Sequence, residues 1–100
     1  MSTKEAYKQK IEAEIELAQA KLAELRAEAK SSAADTRIKY DKQIGELEQK
    51  VDTAKAKMGE LAEASEDAWE DLKDSAEDAW DSLSSAVRDA AAKLKDKFKG

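Results

Sequence analysis

Cysteine, histidine and proline are absent from this 100-residue chain, and glycine occurs three times. Without cysteine there are no disulfides and no thiolate chemistry, and without histidine there is no imidazole for acid–base catalysis or for a zinc site of the usual kind. Proline and glycine are the residues that most often interrupt a helix. These absences exclude several classes of catalytic site and favour long, uninterrupted helices.

Large apolar residues are also scarce. Alanine supplies 20 of the 41 hydrophobic residues, and Leu, Ile, Val and Phe together number 15, which favours a thin core. No apolar run approaches the roughly 20 residues that a transmembrane helix needs, and the first residues lack the apolar core of a secretory signal. We therefore expect a cytoplasmic protein, with peripheral membrane association as the alternative, whose helices gain stability from a partner or from self-association.

The residues that are present favour helix along the whole chain. Ala, Glu, Lys, Leu and Arg account for 59 residues, and these types have high helix propensity. Ser2 and Glu5 have the pattern of a capping box, which predicts a helix start. Beyond it, apolar residues recur every three or four positions and so share one helix face. This stripe consists of Tyr7, Ile11, Ile15, Ala18, Leu22, Leu25 and Ala29.

Residues 30–35 allow two interpretations. Ser32 with Asp35 can form a second capping box, which would begin a new helix after a hairpin turn. Alternatively, Ala33 and Thr36 continue the stripe of the first helix as far as Tyr40 without a turn. This stretch contains no glycine or proline, so the sequence does not decide between the two.

The clearest periodicity begins at Tyr40, where apolar residues alternate between steps of four and three. Such a heptad seam is typical of a coiled coil. Ser65, which is followed by two acidic residues, also has the pattern of a helix N-cap. A break near residues 62–65 is therefore the alternative to a seam that runs on to Leu72. The predicted seam consists of Tyr40, Ile44, Leu47, Val51, Ala54, Met58 and Leu61.

From residue 66 the period changes to 11. Residues 66–76 and 77–87 share Glu-Asp-Ala-Trp and a leucine at the same offset, and residues 88–98 keep Asp-Ala and the leucine. Eleven residues over three turns keep an apolar stripe nearly straight. We predict a single domain with a heptad segment over 1–62 and an amphipathic segment over 63–100. The predicted packing or surface-binding face of the second segment is Trp69, Leu72, Trp80, Leu83, Val87, Leu94 and Phe98.

Charge divides the chain along a similar line. Residues 1–60 carry 12 basic and 12 acidic side chains, residues 63–81 carry nine acids against Lys73, and residues 82–100 have a net charge of +3. Acids at the start and lysines at the end of a helix complement its dipole. The overall charge of −5 argues against nucleic acid as a partner. We interpret the abundant carboxylates as a solvated helix face.

Trp69 and Trp80 are the most distinctive residues and have three interpretations. They can pack in a helix–helix interface, enter a membrane interface with the C-terminal lysines at the headgroups, or fill a groove on another protein. No glycine-rich phosphate loop or nucleophile elbow occurs in the sequence. We therefore expect no enzymatic activity, cofactor, metal ion or small-molecule substrate.

A family resemblance rests on residues 37–47 (RIKYDKQIGEL) and the Glu-Asp-Ala-Trp repeats that follow. These resemble small bacterial coiled-coil proteins of a stress-response family typified in cyanobacteria, and the likeness covers most of the chain. The 11-residue period is also similar to that of late-embryogenesis-abundant proteins and exchangeable apolipoproteins, whose amphipathic helices fold on a surface or on drying. The resemblance implies a stress-associated protein, and it assigns no defined molecular activity to particular residues.

Together these features predict an all-α fold of long amphipathic helices. One arrangement is an antiparallel bundle of helices near 3–30, 35–62 and 66–98, each about 42 Å long. The other is a continuous rod over 3–64 that dimerises, with the C-terminal helix folded back or free. The predicted function is a structural or interaction protein that self-assembles or binds another helical protein. The alternative is binding to a lipid surface through residues 66–98.

Overall fold

Three long helices make up nearly all of residues 3–96, the part of the chain that the computed structural model describes. Helix α1 spans Thr3–Ser31, α2 spans Ala34–Glu63 and α3 spans Glu66–Asp96. No strand occurs within this part of the chain. The predicted all-α fold is therefore confirmed.

The helices lie side by side in an up–down–up bundle. Two-residue connections reverse the chain twice, so that α1 and α3 run parallel and α2 runs antiparallel to both. Each helix packs against the other two. The bundle measures 51 × 19 × 17 Å, and its long axis matches a helix of about 30 residues at a rise of 1.5 Å per residue. The chain therefore adopts the folded-back bundle and not the continuous rod.

A single core runs along the bundle, and its buried residues lie three, four or seven positions apart on each helix. Five of its residues are alanines, and their small side chains let the helices approach closely. The predicted stripes of α1 and α2 account for the contributions of those two helices. The buried apolar residues are Ile11, Ile15, Ala18, Leu22, Leu25, Ala29, Tyr40, Leu47, Val51, Ala54, Leu61, Trp69, Ala76, Leu83, Val87, Ala90 and Leu94.

The first connection, at residues 32–33, confirms the predicted hairpin turn but not the capping box. The chain does turn here, but the N-cap residue of α2 is Ala33, which makes no side-chain capping hydrogen bond. The Ser32 hydroxyl donates instead to the carbonyl of Glu28 at 2.6 Å, so the predicted capping box does not form. The stripe does not continue either, because Ala33 and Thr36 are exposed.

Arg37 stabilises this connection from the first turn of α2. Its Nε donates to the carbonyl of Ala29 at 3.0 Å, and its Nη2 donates to the carbonyl of Lys30 at 3.3 Å. Both carbonyls lie in the last turn of α1, where helical amide donors run out; the Ala29 carbonyl also accepts the Ser32 amide at 3.3 Å. Arg37 therefore caps the end of α1 with a side chain from the next helix.

The second connection, at residues 64–65, follows its sequence signal. The Ser65 hydroxyl accepts a hydrogen bond from the Ala68 amide at 3.2 Å, so the predicted N-cap is confirmed. Lys4 of α1 donates to the carbonyl of Ala64 at 2.8 Å. The heptad seam consequently ends at Leu61, and its predicted continuation to Leu72 is wrong because the chain turns between them.

Candidate functional site: the aromatic contact between α1 and α3

The first tryptophan of α3 is a core residue that packs against α1. Trp69 is 2% exposed. Its ring centroid lies 5.4 Å from that of Tyr7, with the two planes tilted by 48°. An aromatic pair at this separation contributes about 0.5–1.5 kcal/mol beyond the burial of area. Tyr7 therefore fixes the start of α1 against the first repeat of α3.

Tyr7 also contacts the second repeat through its hydroxyl, which donates a hydrogen bond to the Glu77 carboxylate. This hydrogen bond raises the pKa of Tyr7 above its ordinary value, and burial and the negative charges of Glu77 and Asp81 act in the same direction. All of these effects favour the protonated phenol. The hydroxyl therefore remains a donor at neutral pH.

The second tryptophan lies at the edge of the core, beneath a lysine. The Lys10 Nζ is 3.9 Å from the centroid of the Trp80 ring and 5.5 Å from that of Tyr7. A cation over an indole contributes about 0.5–1 kcal/mol at an exposed site and more when it is desolvated. The Trp80 Nε1–H is buried and finds no acceptor in residues 3–96. Contacts of the ring face, not a hydrogen bond, therefore orient this side chain.

A small cleft opens between α1 and α3 beside these contacts, with a volume of about 170 Å³. One ammonium group, two carboxylates, an indole and a protonated phenol line it. The phenol and one carboxylate of the lining are the hydrogen-bonded pair Tyr7 and Glu77, and no cluster of metal-binding side chains occurs in the described part of the chain. The cleft therefore lies at a packing contact between α1 and α3. Its lining residues are Tyr7, Lys10, Glu77, Trp80 and Asp81.

The predicted face of the C-terminal segment points into the bundle. Trp69, Leu83, Val87 and Leu94 are buried. Leu72 and Trp80 are partly buried against them. Phe98, the last residue of the predicted face, lies outside the described residues.

The predicted heptad seam of α2 also faces the bundle interior. Tyr40, Leu47, Val51 and Leu61 are buried, and Ile44 and Met58 are partly buried beside them. The two predicted faces therefore lie in the same core, together with the stripe of α1. A seam that is filled in this way meets a partner helix only if the bundle opens.

Two residues of the aromatic contact, Lys10 and Glu77, were not found by sequence reasoning. Each is a charged residue among many on its own helix, and the Tyr7–Glu77 contact joins residues 70 positions apart. The contact between Tyr7 and Trp69, in contrast, follows from the positions of these residues along their helices. Tyr7 is the fifth residue of α1 and Trp69 the fourth of α3, and these two helices run parallel.

The outer surface of the bundle carries few large apolar side chains. In residues 3–96 the exposed ones are Leu17 and Ile38, at 52% and 68%, on different helices. Isolated exposed apolar residues are ordinary on a protein surface. None of the three described helices combines the length and the hydropathy that crossing a bilayer requires.

Comparisons with protein-family models, with curated proteins and with solved structures find no match to this chain. The resemblance to stress-response coiled-coil proteins and to late-embryogenesis-abundant proteins therefore stays a prediction.

Proposed function

We propose that this chain is a non-catalytic, stress-associated interaction protein that associates with other copies or with other helical proteins as a closed bundle. The observation that supports this proposal is the separation of an apolar interior from a charged exterior. Within residues 3–96, the predicted apolar faces of the three helices pack against one another inside one chain. Contacts with a partner then fall on the outer surface, where charged side chains dominate.

The character of the clefts supports a function without catalysis. Four of them, with volumes of about 170 to 330 Å³, are grooves between two neighbouring helices. Their linings are rich in lysine, arginine and carboxylate side chains. With no cysteine or histidine in the chain, these grooves lack the residue types that most often supply a nucleophile or a general base.

The test of self-association is sedimentation equilibrium over a wide range of protein concentration, combined with circular dichroism on the same samples. A closed bundle that associates through its surface should form reversible oligomers at high concentration, while its helicity stays constant on dilution. A monomer at every concentration and ionic strength would contradict self-association. Helicity that falls on dilution would show that the helices need the partner in order to fold.

A matched pair of variants checks that the interior is structural. Leu47→Asp places a carboxylate in the core, where an unpaired charge is strongly unfavourable. It should abolish most of the helical signal. Glu46→Asp changes an exposed neighbour on the same helix and should leave the signal intact. Equal helicity and equal thermal midpoints for the two variants would count against the closed bundle.

Binding to a lipid surface through α3 is the second candidate, because both tryptophans lie on one side of that helix and Trp80 is only partly buried. Since Trp69 is buried against α1, lipid contact requires α3 to leave the other two helices. Tryptophan emission with neutral and anionic liposomes tests this. A strong blue shift would favour the lipid function over the closed bundle, and unchanged emission with every liposome would reject it.

A further inference from the structure

Acidic side chains form an exposed stripe on the first half of α3. Residues 63–81 contain nine acids and a single lysine. Within them, Asp67, Asp71, Asp74 and Asp78 recur in steps of four, three and four, and all four are exposed. This spacing places them on one outward face of the helix. We call these four residues the acidic stripe.

At the opposite end of the bundle, α2 and α3 form a basic groove of about 330 Å³. Its three lysines are exposed, and none of them pairs with a carboxylate of the described chain. Glu46 is the one acid in the lining, so the groove keeps an excess of positive charge. We call this surface, made of Lys39, Lys42, Gln43, Glu46 and Lys93, the basic groove.

We infer that the basic groove binds the acidic stripe of a second copy of this chain, in an antiparallel dimer with two-fold symmetry. This inference rests on the proposed self-association and names its surface. When two bundles lie side by side with their long axes in opposite directions, the basic groove of each copy meets the acidic stripe of the other. The pairing is then made twice, and the assembly closes at two chains.

The positions of the two surfaces along α3 fit this arrangement. Lys93 lies 19 residues after Asp74, which is about 28 Å along the helix. Both contacts therefore fit along the 51 Å length of the bundle. Between them, Ser82 and Ser85 are short, uncharged side chains that reach the surface of α3. Small residues at a helix crossing permit a short distance between the helix axes.

The attraction is between surface charges, so salt should control it. Single exposed ion pairs are weak, but several of them act together in each of the two contacts. The Debye length falls from about 30 Å at 0.01 M salt to about 3 Å at 1 M. The dimer should therefore form at low ionic strength and dissociate to the monomer at high ionic strength.

The experiment compares charge-reversed variants by sedimentation equilibrium at low salt. Lys39→Glu, Lys42→Glu and Lys93→Glu together should weaken dimerisation by about tenfold or more, because like charges then face each other. Reversal of the stripe with Asp71→Lys, Asp74→Lys and Asp78→Lys should weaken it similarly. A mixture of the two variants restores both pairings and should form a dimer of twice the 11.0 kDa chain mass.

A control variant separates the groove from net charge. Lys8→Glu, Lys30→Glu and Lys55→Glu make the same change of charge outside the groove and should leave dimerisation within about twofold of the unaltered chain. The circular dichroism spectrum of each variant checks that it folds.

The outcomes distinguish this inference from the proposed function. A monomer at low salt that associates only at high salt would overturn this inference alone, and a monomer at every concentration and ionic strength would overturn the proposed self-association as well. Self-association that survives groove reversal, or that the control variant weakens equally, would overturn the basic groove alone. Mixed variants that stay monomeric would overturn the pairing of groove with stripe. Oligomers that grow beyond two chains would overturn the two-fold arrangement.

Discussion

The first two 11-residue repeats of α3 are alike in sequence but differ in environment. Trp69 of the first repeat is buried, whereas Trp80 of the second lies at the edge of the core under Lys10. The leucines show the opposite order, since Leu72 is partly buried and Leu83 is fully buried. One sequence pattern thus gives two different sets of contacts.

The geometry of the α-helix explains this exchange. Eleven residues at 100° each complete three turns and about 20° more, so each repeat is rotated slightly relative to the one before. The rotation moves the tryptophan position away from the centre of the core toward α1 and moves the leucine position into the centre. In the third repeat the tryptophan position holds Ala91, a small residue that is half-buried. We call this rotation of about 20° per repeat the drift. Because of it, a repeated sequence does not have a repeated environment.

The largest expected difference in stability is between substitutions of the two tryptophans. Trp69→Ala should destabilise the bundle by about 3–5 kcal/mol, as for other buried aromatic residues. Trp80→Ala should have a clearly smaller effect because part of its ring is already exposed. Urea denaturation followed by circular dichroism measures both. Where Trp69→Ala does not fold, the two Trp→Phe variants give the same comparison, and equal losses would contradict the drift.

The leucines should show the reverse order. Leu83→Ala should destabilise the bundle by about 2–5 kcal/mol because this side chain is fully buried. Leu72→Ala should have a smaller effect, since its side chain still reaches solvent. The same denaturation experiment applies. A larger loss for Leu72 than for Leu83 would show that the second repeat is not rotated into the core.

A smaller effect is expected for the lysine that covers the second tryptophan. A double-mutant cycle with Lys10→Met and Trp80→Leu should give a coupling energy of about 0.5–1 kcal/mol from the cation–π contact, because leucine has no aromatic ring. The cycle that pairs Lys10→Met with Trp69→Leu is the control and should give a coupling close to zero. Equal couplings in the two cycles would place the ammonium group between the rings rather than over Trp80.

The smallest effect concerns the titration of Tyr7. Its pKa is raised in the folded chain, chiefly by the hydrogen bond to Glu77. Protonated Tyr7 therefore stabilises the folded chain. This contribution to the free energy of unfolding is fully present below 10.0, the pKa of the unfolded tyrosine, and is lost as the pH rises through the folded pKa.

Glu77→Gln should lower the Tyr7 pKa toward 10.0 by removing one negative charge and the acceptor carboxylate. Tyrosinate absorbance during an alkaline titration measures this, in a Tyr40→Phe background so that one tyrosine reports. An unchanged titration curve in the Gln variant would argue against the hydrogen bond between α1 and α3.

The sequence predicts the helices well because their signals are local. The stripe from Ile11 to Ala29 sets the buried face of α1, and Ser65 with two acidic residues marks the start of α3. Both signals depend on residues within a few turns of each other. The bounds of all three helices, as far as residue 96, fall within one or two residues of those predicted for the bundle, one of the two arrangements that the sequence allowed.

The contacts between helices were less predictable because they depend on register. Arg37 caps the end of α1 and Lys10 covers Trp80, and in each case the partner lies on another helix. Periodicity indicates which face of a helix is buried, but it does not indicate which charged residue lies opposite. The capping box predicted at the first connection was also wrong. The Ser32 hydroxyl can bond in either direction, and in the structure it donates to the Glu28 carbonyl instead of capping α2.

The most direct test of the closed bundle is acrylamide quenching of two single-tryptophan variants. Trp80→Phe retains Trp69, which is 2% exposed and should emit at short wavelength with little quenching. Trp69→Phe retains the partly exposed Trp80, which should be quenched more strongly, and more strongly still after Lys10→Ala removes the side chain over its ring. Equal quenching of Trp69 and Trp80 at the same emission maximum would contradict both the 20° drift between repeats and the burial of α3 against α1.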